Sequence, residues 1–336
     1  MNRLSMTEAN DAPPKREALI DWLSCTVKVG DALAAYLLNL FGDAVEATGH
    51  GASGYNTAMK TPGAGLVAWG GNKETMLFSF KGKTLGWLRE QGVDVAQLVK
   101  DVYEGGAHIT RLDVAWDDRS GSFTVPEFAD AVEAGEMVSR WRVWKVWRGL
   151  RGYQGYTVYG GSAKSDSRLC VYDKAAERTV SGEDVEGEWV RVEWRTRREV
   201  AMAVAKLIAE GNLDAVAAGL RGYCDWKIPN PGDSNWRRWP VRPCWVDLLG
   251  VVRRKLEVEK PTCTMAGSQQ WAETQWCNTA GALRVALGPV SFTQWWQEMV
   301  KSGDEDKIKA RLAEWGVTPQ VLGSGLALEH APAIDD

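Results

Sequence analysis

The stretch HITRLDVAWDD (108–118) decides how the chain is read, because it divides cleanly in two when laid out as a strand. Side chains alternate across a strand, so Arg111, Asp113 and Asp117 share one face while Leu112, Val114 and Trp116 share the other. EWVRVEWRTRRE (188–199) repeats the division, setting Arg191, Glu193, Arg195 and Arg197 against Val190, Val192 and Trp194. In SRLCVYDKAAE (167–177), Arg168, Cys170, Tyr172 and Lys174 fall together, opposite Leu169, Val171 and Asp173. Strands that are apolar on one side and charged on the other belong to an antiparallel sheet with one covered face.

Outward from these three, strands are expected at 21–27, 65–71, 75–82, 140–147 and 155–161, with helices at 31–42, 85–89 and 93–106. After Arg198 the periodicity turns helical, with segments at 200–212, 244–260, 269–288, 291–303 and 306–316. Pro229, Pro231, Pro240 and Pro243 mark a link between the two patterns. The expected class is α+β: an antiparallel-sheet catalytic domain over 18–228 and a mainly helical C-terminal part over 229–322. Polar tails at 1–17 and 323–336 complete the division.

Composition narrows the function. The 336 residues carry 40 Lys and Arg against 44 Asp and Glu, a net charge of −4, so any nucleic-acid surface must be local rather than global. Tryptophan is abundant, 18 against 8 Tyr and 6 Phe, and supplies flat faces for a core, sugars or bases. Six Cys without a CxxC pair, and a start without an apolar run of signal length, predict a reduced, cytoplasmic protein. No apolar run approaches the roughly 20 residues a membrane span requires. Three scattered His exclude the usual zinc spacings, and His50 and His108 are read as structural.

The polar row admits two readings. It is the wet face of a sheet, its charges paired across strands, or it is a site. Asp113, Asp117 and Glu193, with no His, suit a hard ion, Mg²⁺ or Mn²⁺. Tyr172, beside Lys174 and Arg168, is a candidate nucleophile because neighbouring cations favour a phenolate; Tyr159 is the runner-up. SRWRVWKVWRGLRG (139–152) interleaves Trp141, Trp144 and Trp147 with five basic residues and no acidic one. It reads either as a groove for single strands, formed by Arg140, Arg142, Trp144, Lys145 and Arg148, or as a strand with core Trp. Arg237 and Arg238 near Trp236 form a second basic cluster. Gly160-Gly161-Ser162 is a hairpin turn or a phosphate-admitting loop. Trp271, Trp276, Trp295 and Trp296 are assigned to a helical core.

Taken in order, Asp21-Trp22-Leu23, ITRLDVAWDD (109–118), YTVYGGSAKSDSRLCVYDKAAE (156–177) and WVRVEWRTRRE (189–199) resemble the replication initiation factors of the Rep_trans type, which start rolling-circle replication of plasmids and some filamentous phages. A weaker resemblance continues through PTCTMAGSQQWAETQW (261–276). The resemblance implies a tyrosine nickase that cuts and rejoins one strand at an origin through a covalent 5′-phosphotyrosyl intermediate with a divalent metal. Carried over, Tyr172 is the nucleophile and Asp173 and Lys174 complete its motif. Arg111 and Arg191 orient carboxylate or phosphate, and Asp113, Asp117, Glu193 and Asp173 are the candidate metal ligands. Residues 18–228 become the nicking domain and 229–322 a DNA-binding or accessory region, with Arg140, Arg142, Trp144, Lys145, Arg148, Arg168, Arg237 and Arg238 as DNA contacts. DNA, as origin duplex and single strand, is the expected partner, with a host helicase and a second copy of the chain as further candidates. Two rivals stand beside this reading: a non-catalytic single-strand binding protein, and a carbohydrate-active enzyme using paired carboxylates.

Overall fold

The computed structural model describes residues 18–72, 74–149, 155–259, 264–316, 321–322 and 325–326. The chain divides into two compact units, one ending at Glu259 and one beginning at Lys260. The change in composition at 229 therefore precedes the change in compaction: Trp245, Leu249 and Leu256 are buried in the core of the first unit.

In chain order the first unit comprises β1 (Ala18–Lys28), α1 (Ala32–Asn39), β2 (Glu46–Ala47), β3 (Thr57–Thr61), β4 (Gly65–Trp69), β5 (Thr75–Lys81), α2 (Gly82–Glu90), α3 (Val95–Glu104) and β6 (His108–Asp118). It continues through α4 (Val125–Glu133), β7 (Met137–Ser139), β8 (Trp144–Arg148), β9 (Tyr156–Gly160), β10 (Ser167–Asp173), α5 (Lys174–Val180) and β11 (Val190–Arg197). It closes with α6 (Arg198–Ala209), α7 (Leu213–Tyr223), β12 (Cys224–Trp226) and α8 (Pro243–Leu249). Ten strands form one antiparallel sheet, ordered β2-β3-β4-β5-β1-β6-β11-β10-β9-β8, and β7 pairs with β12 apart from it. Leu23, Leu112, Val114, Trp116, Val171, Val192 and Trp194 lie in one continuous core with Leu98 and Val102 of α3 and Val204 and Ile208 of α6. One side of the sheet is thus covered by helices, as the alternation requires.

Several expected boundaries move, each for a local reason. The strand expected over 140–147 starts only at Trp144, because the Ser139 hydroxyl accepts from the Trp141 N–H (2.9 Å) and turns the chain. The strand expected over 167–177 stops at Asp173, whose carboxylate caps α5. The helix expected over 244–260 ends at Leu249, where Gly250 takes φ +90°, a conformation that favours glycine. Helices α4, α5 and α7 and strands β2, β3, β7 and β12 are additions to the elements expected from periodicity.

The second unit contains α9 (Met265–Gln275), α10 (Cys277–Leu287), α11 (Pro289–Lys301) and α12 (Glu305–Glu314). The helix expected over 269–288 is two, parting at Trp276. Trp276, Trp295, Trp296 and Phe292 cluster with ring centroids 4.9–6.5 Å apart. Trp271, assigned to the same core, stands 64 % exposed, and Leu312 is the buried apolar side chain among the described residues of these helices. The tail at 1–17, residues 323–324 and 327–336 of the other tail, and Arg151 of the basic stretch lie outside the described residues. Among the described residues no helix is long and apolar enough to cross a membrane.

Candidate active site

The registers of the central strands stack the polar row into ladders. Asp117 faces Arg191, which faces Tyr172, which faces Thr157, which faces Trp147 at the edge. A parallel ladder runs Trp22, Asp113, Arg195, Arg168. Directly opposed residues share a face, so the charged rows of three strands are one surface, open on the side away from α3 and α6.

Its charges are paired tightly. Buried Arg191 donates from Nε and Nη2 to the two carboxylate oxygens of Asp117 (2.7 and 2.8 Å) and from Nη1 to Asp21 (2.8 Å). Arg111 grips fully buried Asp113 through Nε (3.0 Å to each oxygen) and rests 3.6 Å from the ring centroid of Trp22. Arg195 holds buried Glu193 through Nε and Nη2 (2.8 and 3.0 Å). Arginine's planar fork suits such two-point pairing, and burial of these carboxylates demands it. Burial nevertheless pushes Asp113 up to about 7, against the pull of Arg111 and with Glu193 adding to the rise. Asp21 is likewise raised, by burial and then by Glu193.

Tyr172 lies at the centre of this surface, half-buried, with the Lys174 ammonium 5.5 Å from its ring centroid. The expectation that neighbouring cations favour its phenolate is overturned. Burial first and Glu193 second drive the phenol far above its ordinary value, and Arg191 only opposes them. Lys174 is not on the strand: it opens α5, is buried, and pairs with Glu177 one turn on. Asp173 points elsewhere, accepting from the Ala176 N–H at 2.8 Å as the helix cap. Asp21 and Glu177 join the site unassigned by the sequence. A β-bulge between Ile20 and Trp22 brings Asp21 and Trp22 to the same surface, while the i,i+3 spacing to Lys174 would identify Glu177 once α5 is read as a helix.

A divalent metal does not fit this arrangement as it stands. Asp113, Asp117 and Glu193 are each closed by an arginine, Asp173 caps a helix, and among the described residues no three His, Cys, Asp or Glu side chains converge on a point that could hold an ion. Mg²⁺ or Mn²⁺ would first have to displace Arg111, Arg191 or Arg195.

The basic candidates scatter. Lys145 and Arg168 share the face of Tyr172, Arg168 lying 3.9 Å from the Tyr159 ring centroid. Trp144 is on the other face, packed against Phe128 and Trp141 (centroids 6.4 and 6.2 Å) and over Gly160, where a Cβ would come within 2.8 Å of its ring. Trp144, expected as a base contact, is thus half-buried against the core, and the exposed ring of the stretch is Trp147. Arg148 reaches back to Glu133 (3.6 Å). Arg140 and Arg142 stand exposed in the 140–143 turn. Arg237 and Arg238 lie outside the ten-stranded sheet, and Arg238 is bound at two points by Asp233 (2.9 and 2.7 Å), which it holds down at about 2. Gly160 ends β9, and Gly161 and Ser162 open the 161–166 connection of the β9–β10 hairpin, where the Gly161 N–H donates to the Val143 carbonyl at 2.8 Å.

Comparison with known proteins bears on the family and the fold. Residues 107–300 match the family described as Replication initiation factor (Rep_trans). Over 171 residues the chain is 29 % identical to the Bacillus subtilis (strain 168) protein named "Putative DNA relaxase NicK", covering 48 % of each, so it spans about half the length of that curated relative. A solved structure titled as a rolling circle replication initiator protein from Geobacillus stearothermophilus superposes with a TM-score of 0.62 at 25 % identity, over 73 % of this chain and 99 % of that one.

Proposed function

Given that this chain belongs to the Rep_trans replication initiation factor family, we propose that it initiates rolling-circle replication by nicking and rejoining one DNA strand through Tyr172. The observation that carries the proposal is the ladder Asp117–Arg191–Tyr172: a tyrosine set beside a buried, oriented guanidinium on an open face of a rigid sheet. In the forward step the Tyr172 oxygen bonds to phosphorus and the P–O3′ bond breaks, leaving a 5′-phosphotyrosyl link and a 3′-OH that primes synthesis. The phenolic proton must leave to a base, and the carboxylates whose charge bears on Tyr172 are Glu193 and then Asp21 and Glu177. The departing 3′ oxygen takes up a proton. Arg191 and Lys174 supply fixed positive charge as the phosphate oxygens become more negative. Rejoining reverses these transfers.

Incubating the full chain with the supercoiled replicon that encodes it, in the presence and absence of Mn²⁺, tests the proposal. A protein–DNA adduct resistant to denaturation is expected for the wild type and not for Tyr172→Phe. Binding without an adduct in either condition would leave a single-strand binding protein instead. Undiminished nicking in EDTA is expected if the arginine-closed carboxylates stay as they are, and nicking that depends on Mn²⁺ would mean that an ion displaces one of those arginines. A host helicase and a second copy of the chain are its proposed protein partners, to be tested by pull-down and sedimentation.

A further inference from the structure

Resting on the nicking reading above, we infer that Trp147 is a stacking platform for a base of the single strand whose phosphate lies at Tyr172. Trp147 is 64 % exposed, an unusual position for so large an aromatic face. Its neighbours Trp141 and Trp144 are taken up by packing. Strand register fixes where it stands: opposite Thr157, which is opposite Tyr172, hence on the same face and two strands away. At about 4.8 Å per strand that is roughly 10 Å, within reach of nucleotides flanking the reacting phosphate.

The surroundings favour a nucleic acid over a protein. Lys145 shares the face of Trp147 on β8, Arg168 stands on it two strands in, and exposed Arg142 precedes the strand. Strand β8 itself carries no carboxylate. A flat ring among cations is the arrangement that binds single strands, with stacking tolerant of sequence and cations following the backbone. A second copy of the chain meeting this edge would bring like charges together.

The test uses the full chain and a short fluorescein-labelled oligo(dT), which needs no knowledge of the origin. Trp147→Ala should weaken binding by roughly 5- to 150-fold, the loss of one stacked base, while Trp147→Phe retains most of the affinity. The salt slope should stay unchanged in Trp147→Ala and shrink by about 0.7 in Lys145→Ala. The melting temperature should hold in Trp147→Ala and fall in Trp144→Ala. A folded Trp147→Ala that binds like the wild type overturns the inference, as does one whose only change is a shift from dimer to monomer in sedimentation. The two proposals fail separately. Wild-type adduct formation with no Trp147 dependence sinks the platform alone, whereas Trp147-dependent binding without any adduct sinks the nicking reading and leaves the platform.

Discussion

The two faces of the central sheet are built from the same strands and solve burial by opposite means. On the covered face, Leu112, Val114, Trp116, Val192 and Trp194 are buried by helices, and their contribution is non-directional. On the open face, Asp113, Arg191 and Glu193 are buried almost as deeply, yet by one another. A buried charge is tolerable only with a partner in good geometry, so each carboxylate there is answered by a guanidinium. Side chains on the first face can be exchanged for others of similar volume. On the second the pairing fixes direction as well as distance, which is what positioning a phosphate requires.

If this division is right, the sharpest way to break it is Tyr172→Phe. Removing one hydroxyl from the open face should abolish adduct formation, a loss on the order of 10⁴-fold or more, with thermal stability within about 1 kcal/mol of wild type. Persistence of the adduct in Tyr172→Phe and its loss in Tyr159→Phe would move the nucleophile one strand over. The mirror experiment is Trp194→Ala. That side chain is fully buried and donates to the Ser167 hydroxyl at 2.9 Å, so its truncation should cost about 3–5 kcal/mol in denaturant unfolding. Nicking per folded molecule should survive. Equal losses of stability from the two substitutions would mean the faces are not separable.

Alternation makes this division legible in the amino-acid sequence alone. Period 2 assigns Arg111, Asp113, Asp117, Tyr172, Arg191 and Glu193 to the open face and Leu112, Val114, Trp116, Val192 and Trp194 to the core, but misplaces Ile109, which a register shift between Ile109 and Arg111 turns into the core. What alternation does not carry is how the charges pair, because pairing depends on register and rotamer. Asp113 with Arg111, and Glu193 with Arg195, are neighbours on one strand, while Arg191 bridges Asp117 and Asp21 across three. The bulge that presents Asp21 leaves no mark in a single sequence. Trp144, expected as a base contact, packs against the core instead for a related reason, and Trp147 is the ring left exposed. Both sit among basic residues, and only the pairing of β8 with β9 decides which one faces the core.

Arg191→Leu probes the pairing itself. It would leave two carboxylates, Asp117 and Asp21, facing each other without their shared cation. Removing one member of a buried ion set costs roughly 3–5 kcal/mol, and the lower end applies because both carboxylates keep some solvent contact. Adding Asp21→Asn and Asp117→Asn should restore part of that loss by relieving the repulsion. Unfolding midpoints of the single and triple variants measure it, and strict additivity would show that the network is not coupled.

The smallest effect is expected at Asp173, where the two faces meet. Its backbone continues β10 on the covered side, and its carboxylate caps the helix that delivers Lys174 beside Tyr172. Asp173→Ala should therefore destabilise the protein by about 1 kcal/mol, the usual cost of a lost cap, and reduce nicking modestly as α5 frays and Lys174 loses its fixed position. Asp173→Ser separates this role from metal binding. Serine caps a helix about as well as aspartate but is a poor ligand for Mg²⁺ or Mn²⁺, which prefer carboxylate oxygens. With a capping role alone, Asp173→Ser recovers both the melting temperature and the nicking rate, with no change in the Mn²⁺ concentration needed. If stability recovers while nicking stays low and responds to added Mn²⁺, Asp173 is a ligand after all. The carboxylate would then have to leave the Ala176 N–H when metal arrives, and the end of β10 would be a place where the open face rearranges.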